Sequence, residues 1–217
     1  MSRETHWWWI RHAPVPDNVR IYGQNDVDSD VSDEVVFRAV ASEIPKNAVW
    51  ITSNLNRTVQ TASAIIAAMD EKRRPKQEPL KVPEFAEQHL GEWQGIVREE
   101  FYKTRKKVPF WFGPADERPP GGESFNDLIA RVKPAIERIT KEYAGRNIVA
   151  VAHGGTIKAM LAICLELSPD RALAFSVDNC SITRADHLPG GDGDLWRIAT
   201  VNHRPWPHDA NSAAVHA

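Results

Sequence analysis

Two arginines and two histidines of this chain fall directly after apolar, strand-like runs. Residues 5–12 are aromatic and β-rich and end in Arg11-His12. Residues 47–53 carry Val49, Trp50, Ile51 and Thr52, with Arg57 just beyond. Residues 148–152 are apolar throughout, as suits a strand covered on both faces, and lead into His153-Gly154-Gly155. In open α/β sheets ligands gather outside the carboxyl ends of the strands, so these four side chains should converge. Arginine forks match the tetrahedral oxygens of phosphate. The glycines after His153 open a helix whose first amides add anion donors. A phosphate pocket is the leading reading, ahead of carboxylate or sulfate.

Such a pocket shapes its histidines. Neighbouring cations disfavour further positive charge, so one imidazole stays neutral and nucleophilic near neutral pH while the other donates to phosphate oxygens. Phosphoryl transfer needs positioning and charge neutralisation above all. An in-line nucleophile (His12) and oxygen clamps (Arg11, Arg57, His153) supply both. The remaining part is a proton donor for the leaving alcohol. Glu87, in the polar loop 85–95, is the choice, since a bound dianion beside it favours the protonated carboxyl. Glu84 and Glu92 compete with it, and spacing does not separate the three. Taken singly, Arg11 reads as a surface ion-pair partner, each histidine as a hydrogen-bonded structural one, and Glu87 as solvated. Their shared place past strand ends argues for function.

The positioning elements follow from periodicity and breakers. Residues 14–33 form a long loop rich in Pro, Asp and Asn, and 34–44 has helical spacing ending at Pro45. Asn54 or Asn56 should cap a helix running to about Asp70. A short strand is expected around Val82, and the 85–95 loop should enter a helix near Ile96. Residues 101–122 are basic, aromatic and proline-rich, an insertion in which Lys103, Arg105, Lys106, Lys107, Phe110, Trp111 and Phe112 could close over an anionic, partly aromatic substrate. A solvated basic loop with its aromatics pinned to the core is the plainer alternative. Ser124 with Asp127 makes a capping-box start to a long helix ending near Gly145, with Pro134 kinking it. A helix over 156–167 and strands over 181–187 and 195–202, joined by the turn 190–193, complete the pattern. Strands alternating with helices predict an α/β three-layer sandwich on a mostly parallel sheet. Residues 1–203 read as one catalytic domain and 204–217 as a flexible tail.

Composition sets the bounds. The 217 residues are 42% hydrophobic and 26% charged, which suits one globular domain and excludes wholesale disorder. Lys plus Arg total 27 against 29 acidic residues, so a broad nucleic-acid surface is not expected. The cysteines, Cys164 and Cys180, have no CxxC partner, which excludes a disulfide framework or cysteine-rich zinc site. His89, His187, His203 and His208 share no metal-ligand spacing. The apolar run 7–10 is too short for a signal peptide or membrane span. A cytoplasmic protein with reduced thiols is expected, acting on a small phosphorylated metabolite without nucleic acid or membrane; a homodimer is left open.

Several motifs occur in a fixed order: Arg11-His12, the run Ser53-Asn54-Leu55-Asn56-Arg57-Thr58-Val59-Gln60-Thr61, Glu87 ahead of Gly91 with Trp93-Gln94-Gly95, Gly121-Gly122-Glu123-Ser124, and His153-Gly154-Gly155. Each is weak alone. Together, and with Asn179-Cys180-Ser181-Ile182-Thr183, they resemble the histidine phosphatase (phosphoglycerate mutase-like) superfamily over residues 5–183. The resemblance implies that fold, phosphorylation of His12, phosphoryl binding by Arg11, Arg57 and His153, Glu87 as acid and then base, and no metal or other cofactor. One departure is that Ala13-Pro14 stands where the family usually has glycine. With Tyr22-Gly23-Gln24-Asn25-Asp26, the first loop resembles the α-ribazole phosphatase branch; Gly23 and Gln24 in that loop, and Gly154 at the start of the later helix, are candidate substrate-binding residues. A phosphomonoesterase is expected. A cofactor-dependent mutase would need an enclosed pocket with more basic residues than 101–122 provides, and a non-catalytic phospho-ligand binder has no reason to keep the full catalytic set.

Overall fold

The computed structural model describes residues 4–17, 19–105, 108–190 and 195–207. Lys106, Lys107, the centre of the 190–193 turn, His208 and the tail beyond Pro207 lie outside the described residues. A six-stranded sheet runs in the order β3-β2-β4-β1-β5-β6. It is built from β1 (Thr5–Arg11), β2 (Val49–Thr52), β3 (Leu80–Lys81), β4 (Asn147–Ala152), β5 (Ile182–Leu188) and β6 (Leu195–His203). The β1–β4, β4–β2 and β2–β3 pairs are parallel, and β5 and β6 extend the sheet antiparallel. The sheet is therefore mostly parallel, as the alternation of elements implied.

Each face of the sheet is covered by helices, and alternation along β1 decides which residue faces which. Trp7 and Trp9 pack with α4 (Phe125–Glu142) and α5 (Gly154–Cys164), through Leu128, Ile136, Ile157 and Met160. Trp8 and Ile10 face α1 (Glu34–Glu43) and α2 (Asn56–Ala68), through Phe37, Val40, Ala62 and Ile65. Period-two alternation thus splits three consecutive tryptophans between two cores. A third, smaller cluster of Ile21, Leu90, Trp93 and Phe101 lies under the loops and α3 (Arg98–Lys103). Past β6, Trp206 packs against the α1/α2 core.

Helix ends differ from expectation in two places. Neither Asn54 nor Asn56 caps α2: Leu55 is the N-cap residue, without a side-chain cap bond. The Leu55 amide instead donates to Ser53 Oγ at 3.1 Å and the Asn56 amide to Asp26 Oδ1 at 2.7 Å. A remote carboxylate does this work, which local sequence cannot reveal. Helix α5 begins at Gly154 rather than Thr156 and ends at Cys164, placing both glycines inside its first turn. The expected capping box at α4 is complete: Asp127 N–H donates to Ser124 Oγ at 3.2 Å and Ser124 N–H to Asp127 Oδ2 at 2.7 Å. Helix α4 continues through Pro134. No described helix is long and apolar enough to cross a membrane.

The Ser124 cap holds the helix that covers Trp7 and Trp9. Ser124→Ala should lower unfolding stability by about 1 kcal/mol, read as a reduced urea midpoint at unchanged m-value.

Candidate active site

The three strand ends converge as predicted. His12 follows β1 directly and is 1% exposed. Its Nδ1 lies 2.7 Å from the Ala13 carbonyl oxygen, which can only accept. The proton is therefore on Nδ1, and Nε2 carries the free lone pair. That Nε2 is buried without a hydrogen-bond partner among the described residues. Asn179 Nδ2 donates to the His12 carbonyl at 2.7 Å, and the Ala13 amide donates to Thr61 Oγ1 at 2.8 Å. Thr61 in turn donates to the Arg57 carbonyl at 2.6 Å. Ala13, where the family usually has glycine, is accommodated in full burial.

His153 lies beside it, with ring centroids 5.2 Å apart. Arg57 Nε donates to His153 Nδ1 at 3.2 Å, so Nε2 bears the proton and donates to Ser53 Oγ at 2.8 Å. Arg57 also binds the carbonyls of Asn25 (3.0 Å) and Gly23 (2.6 Å), which fastens the first loop to α2. Arg11 donates Nη1 to the Val177 carbonyl at 2.6 Å and leaves a buried Nε unpartnered. Glu87 is held by two backbone amides, Gln88 N–H on Oε1 at 2.9 Å and Gly155 N–H on Oε2 at 3.2 Å. Its carboxylate thus sits against the first turn of α5. A side chain at Gly155 would overlap Glu87, which explains the glycine.

Electrostatics make both imidazoles neutral. Burial, then the charges of Arg57 and Arg11, hold His12 well below the usual histidine range. Burial, Arg57, His12 and Arg11 do the same for His153. Lys158, on α5, is brought down to about 8 by burial and by Arg11, with Glu87 pulling the other way.

A cavity of about 420 Å³ opens over the site, and Arg11, Gly23, Glu87 and Gly154 are on its wall. His12 and Arg57 lie against Tyr22, itself a wall residue: the His12 and Tyr22 rings are 6.3 Å apart, and Arg57 sits 5.0 Å from the Tyr22 centroid. Gln24, expected at the substrate, instead donates its Nε2 to the Glu87 carbonyl at 2.8 Å and braces that loop. Glu84 pairs with Arg138 at 3.1 Å and Glu92 is exposed, so neither rival lies on this wall. The insertion's described basic residues are occupied: Lys103 pairs with Glu99 at 3.1 Å and Arg105 with Glu117. Its aromatics, Phe110, Trp111 and Phe112, do line the cavity.

Sequence reasoning passed over Lys158 and Arg131. Lys158 had a signal, a lone cation in the otherwise apolar stretch 157–164. Arg131 had none; it donates to the carbonyls of Glu84 (2.6 Å) and Glu87 (3.2 Å) and pairs with Glu123. One described group has metal-ligand spacing, Glu4, His6 and Asp186. The β1–β5 register creates it, at the end of β1 away from Arg11. Burial works against the Asp186 charge, but hydrogen bonds from Arg197, His6 and Arg184 hold the carboxyl below its usual range, so cations already occupy it.

Residues 7–203 match the histidine phosphatase superfamily (branch 1). The chain belongs to that superfamily, and its sheet and helices have the phosphoglycerate mutase-like arrangement. It is 30% identical over 213 residues to a glucosyl-3-phosphoglycerate phosphatase of Mycolicibacterium vanbaalenii, covering 89% of this chain and 92% of that protein. It is 32% identical over 148 residues to a 2,3-bisphosphoglycerate-dependent phosphoglycerate mutase of Gloeobacter violaceus, covering 66% of each. The solved native structure of a mycobacterial glucosyl-3-phosphoglycerate phosphatase superposes with a TM-score of 0.78 at 25% identity, covering 92% of this chain and 99% of that one.

The buried neutral histidines give the stability a sign with pH. In the unfolded chain they titrate near ~6.5, above their folded values, so the unfolded state binds more protons as pH falls below that point. Stability should drop from there toward the lowered folded values, by up to about 1.4 kcal/mol per pH unit for each imidazole. His12→Gln should flatten that slope in urea titrations at several pH values; an unchanged slope would mean His12 is not neutral in the fold.

Proposed function

We propose that the protein is a phosphomonoesterase that hydrolyses a small phosphorylated metabolite through a phosphohistidine at His12, without a metal. The observation that carries this is the His12 ring itself, its proton fixed on Nδ1 and its Nε2 unpartnered beside two guanidinium groups.

The steps follow from the donors present. Binding of the phosphoryl dianion brings two protons in from solvent, one onto the Glu87 carboxylate and one onto His153 Nδ1, which turns that nitrogen from acceptor to donor and frees Arg57 Nε for an oxygen. Arg11 Nε supplies another donor. His12 Nε2 attacks phosphorus, the bond from phosphorus to the ester oxygen breaks, and that oxygen takes the proton of Glu87. Water then gives a proton to Glu87 and attacks phosphorus, the bond to Nε2 breaks, and phosphate leaves with His12 neutral again. The arginines and His153 neutralise the charge that a metal ion would otherwise meet. Support for the α-ribazole phosphatase-like branch is the likeness of the first loop, Arg11-His12-Ala13-Pro14 with Tyr22-Gly23-Gln24-Asn25-Asp26. Two relatives are named instead for glucosyl-3-phosphoglycerate and for phosphoserine.

The protein should turn over p-nitrophenyl phosphate in EDTA, and His12→Ala should abolish it. In kcat/KM, which reports transfer to His12 and not the later hydrolysis that all substrates share, Glu87→Gln should cost alkyl phosphates about 10²-fold or more while sparing p-nitrophenyl phosphate, whose leaving group needs little protonation. Undiminished turnover by His12→Ala removes the phosphohistidine, and equal losses in kcat/KM on both substrates remove Glu87 as acid. Isomerisation of 3-phosphoglycerate with a trace of 2,3-bisphosphoglycerate would favour the mutase reading instead.

A further inference from the structure

The outer cavity is built unlike its floor. Tyr102, Phe110, Trp111, Phe112 and Phe175 bring ring surface to its wall. The cations there are already engaged. Lys158, only 7% exposed, donates to the carbonyls of Leu173 (2.9 Å) and Phe110 (3.3 Å) and lies 4.7 Å from the Trp111 centroid. It therefore stitches the insertion to the segment after α6 (Pro169–Ala172) and braces Trp111 from the helix. Arg98 stands over the Phe112 ring at 5.3 Å. Arg105 is not on this wall; it is spread over Trp93 (4.3 Å) and Phe101 (5.0 Å) while paired with Glu117. Trp111 spends its one polar atom on Gln88 Oε1 at 2.7 Å, leaving carbon surface toward the cavity. Asp178, also on this wall, is engaged as well, its Oδ2 3.5 Å from Arg204 Nη1 and accepting from Asn202 Nδ2 at 3.1 Å.

We propose that the alcohol part of the substrate is a planar, apolar group, an aromatic ring or fused heterocycle without a second acidic group, seated against Phe110, Trp111 and Phe175. This rests on the phosphomonoesterase reading and narrows it to a substrate class. Ring surface here gains both from apolar burial and from edge or stacked contact with the wall aromatics. A carboxylate in the same place must take Lys158 from two carbonyls and a ring. Being desolvated without a free partner, it is disfavoured.

The test compares three alkyl esters, 2-phenylethyl phosphate, glycerol 1-phosphate and 3-phosphoglycerate. Their leaving alcohols differ little in acidity, so differences in kcat/KM report recognition rather than bond breaking. The expected result is at least a ten-fold preference for 2-phenylethyl phosphate over both others. Trp111→Leu should shrink that preference at least three-fold, chiefly through KM. Equal or better use of 3-phosphoglycerate overturns the proposal and leaves the phosphatase intact, as does turnover of p-nitrophenyl phosphate with no preference among the three. No turnover of any ester, p-nitrophenyl phosphate included, removes the phosphatase reading and this one together.

Discussion

The short hydrogen bond from His12 Nδ1 to the Ala13 carbonyl is the constraint on which the site depends. It fixes one tautomer, and with it the direction in which the lone pair is offered. Its geometry is secured by the rest of the chain: Asn179 holds the His12 carbonyl, Thr61 holds the Ala13 amide, and β1 lies between β4 and β5. A single ring nitrogen is thus oriented by groups from α2, from the end of β1 and from the loop before β5. Burial and two guanidinium groups then keep it unprotonated. A site that gathers so much positive charge around neutral imidazoles is prepared for an anion rather than for a neutral ligand.

The opposing carboxylate is placed with equal care. Glu87 is held by amides of its own loop and of the first turn of α5, while Arg131 and Gln24 take up carbonyls of the same loop. His12 and Glu87 are therefore set on different elements, one on a strand end and one on a braced loop. Neither depends on the other for its orientation. Tyr22, on the cavity wall, lies edge-on to the buried His12 ring.

What the sequence made legible was what backbone periodicity and strand polarity dictate. Apolar runs ending in Arg11-His12, Ser53 and His153 located the sheet and the edge where ligands meet it. The capping box at Ser124 was readable because both of its partners lie within one helical turn. Contacts made across the fold were not readable. Asp26 satisfies the start of α2 from thirty residues away, which displaced the expected asparagine caps. Arg131 and Lys158 work by donating to backbone carbonyls of distant loops, and such carbonyls leave no mark on residue type. The basic residues of the insertion were legible as charge, but which acids and rings would engage them was set by tertiary packing.

The most direct measurement is rapid quenching of the enzyme with a phosphomonoester under conditions that preserve acid-labile bonds, followed by peptide mapping of the bound phosphoryl group. The account predicts the group on the peptide containing His12, attached through Nε2, appearing no more slowly than the first turnover. A phosphoryl group carried by any other residue, or full turnover with none ever carried at His12, would contradict it.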